Sequence, residues 1–181
     1  MKALFRIAAA AVTVAGLAVG CASLNPPVGA AAHAAPGARA RVPSAAVAVS
    51  GAVVRPAVFD LAALQALPSS TETVGGHVYV GVSLWTLLNA VVGLRPDASL
   101  RNPGLSMFAV ATGTDGYRAL LSLAEIDPEV GGRSALVAWS VDGAALGPAG
   151  MARLVVGGDA KPGRAVANLE RIDVFTAPAG H

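Results

Sequence analysis

The stretch Val80-Gly81-Val82-Ser83-Leu84-Trp85-Thr86-Leu87-Leu88 decides the fold, because a strand passes directly into a helix within it. The residues from His77 to Val80 predict a short strand, and Ser83 is a residue type that commonly caps the start of a helix. Gly93 ends this helix and Pro96 prevents it from resuming. Apolar side chains recur at the spacing of one buried helical face, at Leu84, Leu87, Leu88 and Val91.

The residues before this stretch predict a strand and a short helix. Apolar residues alternate from Ala46 to Val54, as in a half-buried strand, and Arg55-Pro56 ends it. Asp60 is a good N-cap for a helix that Pro68 stops. The polar run Ser69–Gly76 predicts a loop. One face of the short helix carries Leu61, Leu64 and Leu67.

The residues after this stretch predict mainly strands joined by tight turns. Gly113-Thr114-Asp115-Gly116 and Asp142-Gly143 are typical turn sequences between antiparallel strands. Two helices and about seven strands predict an α+β domain with mixed or antiparallel sheets and short helices. The later strands run from Ser106 to Ala111, Tyr117 to Ser122, Ser134 to Val141, Arg153 to Val156 and Leu169 to Thr176.

The beginning of the chain predicts export and tethering. Two basic residues precede the uncharged apolar run Ile7–Val19, which is the layout of a secretory signal sequence over residues 1–20. Small residues before Cys21 resemble the lipobox of bacterial lipoproteins, and ordinary cleavage after a small residue nearby is the alternative. Residues 21–44 are rich in Ala, Pro and Gly and predict a flexible linker, followed by one domain over 45–178. We therefore expect a lipoprotein anchored through Cys21 on the extracytoplasmic side of a bacterial membrane, in the periplasm or at the cell surface.

Charge and cysteine content limit the classes of function. Lys2 and Arg6 account for the net charge of +2, so that eleven basic and eleven acidic side chains remain from Cys21 onward. A near-neutral domain without a basic stripe does not predict a nucleic-acid surface. Because Cys21 is the only cysteine, the sequence allows no intramolecular disulfide and no cysteine cluster for a metal.

Residues that often carry catalysis or bind metals are scattered singly along the chain. His77, Asp115, Asp142, Asp159 and His181 form no pair at a metal-ligand spacing, so no metal site is evident. No G-x-S-x-G elbow and no Ser–His–Asp set stands out, and the catalytic residues stay unknown. A hydrolase that uses His77 with a serine remains one alternative, and a structural strand residue is the other interpretation of His77.

The loop Gly157–Arg164 is the best candidate for binding an anion. Its glycines free backbone amides for an anion, and Lys161 and Arg164 supply cations beside them. A surface loop between two strands is the competing interpretation. The acidic segment 125–129 is interpreted as a solvated turn.

Several segments of the domain, taken in order, resemble one known family, and among them Asp142-Gly143, Gly150–Val156 and Val166–Val174 match its closing strands. Val49–Val53 matches its opening strand, and Phe59–Pro68 matches its first short helix with a proline stop. Val80–Leu88 matches its x-Gly-Val-Pro-Leu-x-x-Leu-Leu helix, with Ser83 in place of the proline, and Asp115-Gly116-Tyr117 matches a hairpin. This order and spacing resemble the molybdopterin-binding domain of sulfite-oxidase-type oxidoreductases.

The resemblance implies a sulfite-oxidase-type fold and a molybdopterin cofactor. The full enzymes of this family bind molybdenum through a cysteine thiolate, and residues 45–178 contain no cysteine. The signal sequence also lacks the adjacent arginines of the twin-arginine route, by which exported members travel with their cofactor. The expected contacts to the phosphate of the cofactor are Arg118, Arg153, Lys161 and Arg164, assisted by the amides of Gly157 and Gly158.

Two functions therefore remain open. The first is an extracytoplasmic molybdopterin-binding-domain protein, related to oxidoreductases, which holds a pterin or a similar anionic ligand. The second is a non-catalytic binding or scaffold module at the envelope, which recognises another anionic ligand or a partner protein. The missing cysteine favours the second as the present activity.

Overall fold

Within residues 42–178, ten short strands form two sheets. The computed structural model describes residues 42–178. In chain order the strands are β1 (Val47–Gly51), β2 (Ala57–Phe59), β3 (Ser69–Val74), β4 (His77–Ser83), β5 (Met107–Gly113), β6 (Arg118–Ser122), β7 (Ala135–Val141), β8 (Ala144–Ala145), β9 (Arg153–Val156) and β10 (Leu169–Thr176).

The two sheets have different pairing. The first sheet has the order β2-β1-β10-β5-β6. In this sheet β1 runs parallel to β10, and all the other neighbouring strands are antiparallel. The second sheet has the order β3-β4-β7-β8, with β9 also paired to β7, and all of these pairs are antiparallel. Together with short helices, this confirms the predicted α+β class with mixed and antiparallel sheets.

The inner faces of both sheets share one apolar core. Alternate residues of a strand point to opposite faces, so one face of each sheet is buried in the core. Side chains of this core that are no more than 1% exposed come from both sheets: Val47, Val49 and Ile172 from the first, and Val82, Val137 and Leu154 from the second.

The first short helix begins where the sequence predicts. Helix α1 (Leu61–Gln65) is capped by Asp60, whose side chain accepts a hydrogen bond from the Ala63 amide at 2.8 Å. Leu64 is fully buried, whereas Leu61 is 40% exposed, so the predicted apolar face of α1 is anchored mainly by one residue. A second helix of one turn, α2 (Leu123–Ile126), follows β6.

The helix predicted after Ser83 has a wider turn than an α-helix. Residues Thr86–Val91 form a π-helix, in which the Val92 amide donates to the Leu87 carbonyl at 3.1 Å. Leu84, Leu87 and Leu88 are buried as predicted, so the apolar spacing identifies the buried face even though the turn is widened.

Two segments predicted to lie outside the sheets are strands. The prediction of a loop over Ser69–Gly76 is wrong, because β3 pairs along its length with β4. Its side chains are polar because β3 lies at the edge of its sheet, with alternate residues exposed. β2, which follows Pro56, was also not predicted and forms an edge of the first sheet.

The predicted signal sequence and Cys21 lie outside the described residues. The last residues of the predicted linker contact the domain, since Ser44 is buried and the Val42 carbonyl accepts a hydrogen bond from the Thr114 hydroxyl at 2.6 Å. Within residues 42–178, no helix has the length and apolar character needed to cross a membrane.

Candidate functional site

The candidate site is a cleft on the outer face of the second sheet, away from the main core. Strand pairing aligns Arg153 with Ala138 and Val155 with Leu136, which places these side chains on one face. A small apolar cluster covers this face, formed by Tyr79, Leu136, Ala138, Leu146 and Val155. The face therefore has both an apolar floor and an arginine at its centre.

A cavity of about 270 Å³ lies over this floor. Its apolar walls include Val74, Val155 and Pro162, and its polar lining consists of His77, Tyr79, Arg153 and Asp159. We call this the first cavity. A mixture of apolar walls and a few polar groups is typical of a small-molecule site.

Arg153 also lines a second cavity of about 410 Å³, which includes Asp115, Tyr117 and Asn168. Arg153 and Ala165 line both cavities, so the two cavities adjoin at these residues. Arg153 is thus the cation that both cavities share.

Arg153 is half-buried and carries unused hydrogen-bonding capacity. Its Nε is buried without a hydrogen-bond partner, and its guanidinium carbon lies 5.8 Å from the centroid of the Tyr79 ring. Among the described residues, the other half-buried arginines, Arg133 and Arg164, form ion pairs with carboxylates, and Arg153 forms none. A buried N–H without a partner is costly, which favours an anionic ligand at Arg153.

Arg164, which we predicted to contact an anion, is instead held by two carboxylates. Its guanidinium donates to both oxygens of Glu125, at 3.0 and 2.9 Å, and to both oxygens of Asp159, at 3.0 and 2.5 Å. These hydrogen bonds raise the pKa of Arg164 and lower the pKa of Asp159. A role of Arg164 in ligand contact remains a prediction, since the structure describes its intramolecular partners only.

Arg133 completes this group of charges, which we call the clasp: Glu125, Arg133, Asp159 and Arg164. Arg133 Nε lies 2.7 Å from Glu125, and its terminal nitrogen lies 3.4 Å from Asp159 and 3.0 Å from the Gly157 carbonyl. Interpreting Glu125 as a member of a solvated turn was therefore wrong, because its side chain is only 27% exposed and joins two arginines. The clasp ties the loop after β9 to helix α2.

The predicted glycine cradle has little free backbone at its start. The Gly157 amide donates to the Ser134 carbonyl at 2.9 Å. A Cβ built on Gly157 would lie 2.4 Å from a carboxylate oxygen of Glu72, so negative charge already faces this glycine. Gly158 and Lys161 are exposed, and their contact with an anion remains a prediction.

The loop is also tied at its far end. The Tyr117 hydroxyl donates to the Gly163 carbonyl at 2.5 Å. The loop from Gly157 to Arg164 is therefore held at both ends. Arg118, the residue after Tyr117, is exposed on β6 in the first sheet and lines neither cavity.

Beside the second cavity lies a buried polar residue, Asn168, which the sequence did not identify as part of a site. Asn168 is 2% exposed, has φ 49°, and its side-chain amide donates to the Pro148 carbonyl at 3.1 Å. Its side-chain oxygen and the hydroxyl of Ser44 are both buried without partners, and both lie within 3 Å of a Cβ built on Gly150. The residue type was the one signal in the sequence, since asparagine adopts a left-handed backbone more readily than most residues.

His77 and Asp142, which are scattered in the sequence, are in contact in the structure. His77 Nδ1 lies 2.7 Å from Asp142 Oδ2, and the Val78 amide donates to Asp142 Oδ1 at 2.8 Å. These two hydrogen bonds lower the pKa of Asp142. The contact forms because Asp142 begins the turn between β7 and β8, and β7 is the neighbour of β4.

The residues present do not fit the molybdenum ligation that the family resemblance implies. Residues 42–178 contain no cysteine, and within them no three His, Cys, Asp or Glu side chains come close enough to hold a metal ion. A soft thiolate donor is therefore missing from the described domain. Contact of Arg153 with the phosphate of a pterin cofactor remains a prediction.

Comparison with known proteins identifies the fold. The chain matches no protein-family model, and no curated protein sequence matches it. It is similar to the sulfane dehydrogenase SoxCD from Paracoccus pantotrophus, with a TM-score of 0.57 and 22% sequence identity over 72% of this chain. The match covers only 38% of the SoxCD chain, so this protein spans well under half of its structural neighbour. At this level of identity the likeness extends to the fold alone: the matched 72% of this chain folds like part of a sulfane dehydrogenase.

Proposed function

We propose that this protein is an extracytoplasmic binding module that holds a phosphate- or carboxylate-bearing ligand in the cleft of the second sheet. The observation that carries the proposal is Arg153, whose half-buried guanidinium has no carboxylate partner among the described residues and lines both cavities. The apolar floor beside it favours a ligand with a ring or an alkyl part.

A pterin phosphate is the ligand class that the family resemblance supports. The fold likeness to a sulfane dehydrogenase is consistent with this class. The missing thiolate supports a role in which the module binds its ligand without molybdenum chemistry. A partner protein at the envelope that presents an acidic group to the same cleft is the second candidate, because the cleft is open to solvent and the anion contact is the same.

The binding proposal is tested by calorimetry with two probes, inorganic phosphate and pterin-6-carboxylate. We expect Arg153→Gln to weaken binding of both probes by about 10- to 100-fold, which is the value of a charge-assisted hydrogen bond. The matched control is Arg118→Gln, which removes the same charge from an exposed position outside both cavities and leaves affinity unchanged. Equal loss in both variants, or no binding by the unmodified protein, would reject the proposal.

Location and natural ligand are tested together by native mass spectrometry of the protein from its own cell envelope. We expect a diacylglyceryl mass on Cys21 and a bound acidic compound that is lost in Arg153→Gln. Cys21→Ser moves the protein from the membrane fraction to the soluble envelope fraction. An unmodified N-terminal segment in the membrane fraction contradicts the anchoring proposal.

A further inference from the structure

His77 lines the first cavity from β4, the strand that also carries Tyr79, and it forms a dyad with Asp142 of the turn between β7 and β8. His77 and Tyr79 are two residues apart on β4, so their side chains lie on the same face of the sheet. Arg153 approaches the Tyr79 ring from β9. One wall of the first cavity thus presents an imidazole, a phenol ring and a guanidinium in sequence.

The hydrogen bonds of Asp142 fix the tautomer of His77. The carboxylate accepts from His77 Nδ1 and from the Val78 amide, and an ionised carboxylate can only accept. His77 Nδ1 must therefore carry the proton. In the neutral imidazole this leaves the lone pair on Nε2, which is the arrangement of a general base oriented by a carboxylate.

Asp142 is held in place by the fold rather than by the histidine alone. Its backbone has φ 51° and Gly143 has φ 79°, as in a tight hairpin turn between β7 and β8. Its amide donates to the Val78 carbonyl at 2.8 Å. The orienting carboxylate is thus fixed by two backbone hydrogen bonds to Val78, one from its amide and one to its side chain.

We propose that the His77–Asp142 dyad is a general-base site that hydrolyses a carboxylic ester whose acid portion carries a second carboxylate, bound by Arg153. His77 Nε2 takes a proton from a water molecule, and the water oxygen forms a bond to the ester carbonyl carbon. The bond from that carbon to the alcohol oxygen then breaks, and the proton on His77 passes to the leaving alkoxide. The new carboxylic acid then releases its proton to solvent, so the products are a dicarboxylate, an alcohol and one proton, and there is no net oxidation or reduction.

This inference rests on the proposed anion site, since Arg153 supplies the selectivity for acidic esters. The other charged group that lines the cavity is Asp159, and it is paired with Arg164 and Arg133 in the clasp. Tyr79 lies between the dyad and Arg153. The spacing between His77 and Arg153 therefore determines how many carbons separate the ester from the acid group in the preferred substrate.

The test is hydrolysis of mono-4-nitrophenyl esters of succinate, glutarate and adipate, with neutral 4-nitrophenyl butyrate as the comparison. We expect one acid chain length to be preferred over butyrate by at least about 10-fold in kcat/KM. His77→Gln lowers kcat by about 100-fold, the usual contribution of a general base, with little change in KM. Arg153→Gln raises KM for the acidic ester by about 10-fold and leaves butyrate unchanged.

Asp142→Asn tests the orienting role of the carboxylate. We expect kcat to fall by about 10-fold or more. Asp97→Asn is the matched control, because it makes the same charge change at an exposed side chain outside the first cavity and leaves kcat unchanged. His77 and Asp142 are both exposed, with 59% and 51% of their side chains accessible, so these variants keep the fold, which thermal melting verifies.

The outcomes separate the two proposals. If glutarate binds in an Arg153-dependent manner but no ester is hydrolysed faster than by free imidazole, the catalytic inference is wrong and the binding module stands. If hydrolysis survives in His77→Gln, another group is the base and the dyad assignment is overturned. If glutarate does not bind at all, the proposed anion site is wrong, and the selectivity for acidic esters is lost with it.

Discussion

Replacing Arg164 with glutamine tests whether the clasp stabilises the domain. The change removes the hydrogen bonds of Arg164 to Glu125 and Asp159 but keeps Arg133 in contact with both carboxylates. The side chains involved are only 29%, 27% and 15% exposed for Arg164, Glu125 and Asp159. Two partly buried carboxylates are then left with a single cation, which is the physical reason for the expected loss.

The expected loss in the free energy of unfolding lies between two limits. Exposed ion pairs contribute about 0–1 kcal/mol, and removing one partner of a fully buried pair costs about 3–5 kcal/mol. Because Arg133 remains and the group is partly solvated, we expect Arg164→Gln to lower the free energy of unfolding by about 2 kcal/mol. For a domain of this size, such a loss lowers Tm by about 8 °C.

The loss of stability caused by Arg164→Gln should become smaller as the pH falls. The pKa of Asp159 is lowered in the folded state, mainly by Arg164. Ionised Asp159 therefore stabilises the fold above the unfolded pKa of about 3.9, and this contribution is lost as the pH falls through the lower folded value. Arg164, whose pKa is raised, stays charged throughout this range. The difference between the unmodified protein and Arg164→Gln should therefore be largest at neutral pH and shrink below about pH 4.

Urea denaturation between pH 3 and pH 7 measures this difference. Arg171→Gln is the control, because Arg171 pairs with Asp173 at 2.8 Å but is 46% exposed, and its loss should stay below about 1 kcal/mol. Equal losses in the two variants would refute the reasoning. So would an Arg164→Gln loss that is the same at pH 3 as at pH 7, since then the ionised carboxylates would not be its cause.

Three further substitutions test the fold itself by chemical denaturation. Gly81→Ala should lower the free energy of unfolding by about 3 kcal/mol or more, because a Cβ there would lie 2.4 Å from the Val137 carbonyl oxygen. Gly75→Ala is the control, because its Cβ would meet open space at φ +61°, and it should cost only about 1 kcal/mol. Equal costs would contradict the close approach at Gly81. Asp60→Ala should cost about 1 kcal/mol by removing the cap of α1, and Asp60→Asn, which keeps an accepting oxygen, should recover most of it. Leu64→Ala should cost about 2–5 kcal/mol, since Leu64 is fully buried, while Leu61→Ala costs less than about 1 kcal/mol at its exposed position.

The parts of the fold that depend on local chemistry were predictable from the sequence. The cap at Asp60, the buried face of Leu84, Leu87 and Leu88, and the Asp142-Gly143 turn each rest on a few neighbouring residues. β3 was not predictable in the same way, because an edge strand with polar side chains has the composition of a loop. Its pairing with β4 is decided by the short turn through Gly75 and Gly76, both of which have positive φ.

The candidate site was predictable only in part, because its contacts join distant residues. Arg153 was identified as a ligand contact from the family resemblance, but nothing in the sequence separates it from Arg164. The structure distinguishes the two arginines, since Arg164 donates hydrogen bonds to Glu125, which lies 39 residues earlier in the chain. The contact between His77 and Asp142 spans 65 residues, and it follows from the pairing of β4 with β7, which no periodicity in the sequence reveals.

The clasp also bears on the anion site, although none of its arginines lines the first cavity. Asp159 and Arg153 both line that cavity, and a carboxylate beside an arginine would either pair with it or repel an incoming anion. Arg164 and Arg133 neutralise Asp159 instead, which leaves the guanidinium of Arg153 for a ligand. Arg164→Gln should therefore weaken phosphate binding by about 3- to 10-fold without removing a ligand contact, and Asp159→Asn in the same chain should restore it. Failure of this second change to restore affinity would mean that Arg164 itself contacts the ligand, as the family resemblance implies.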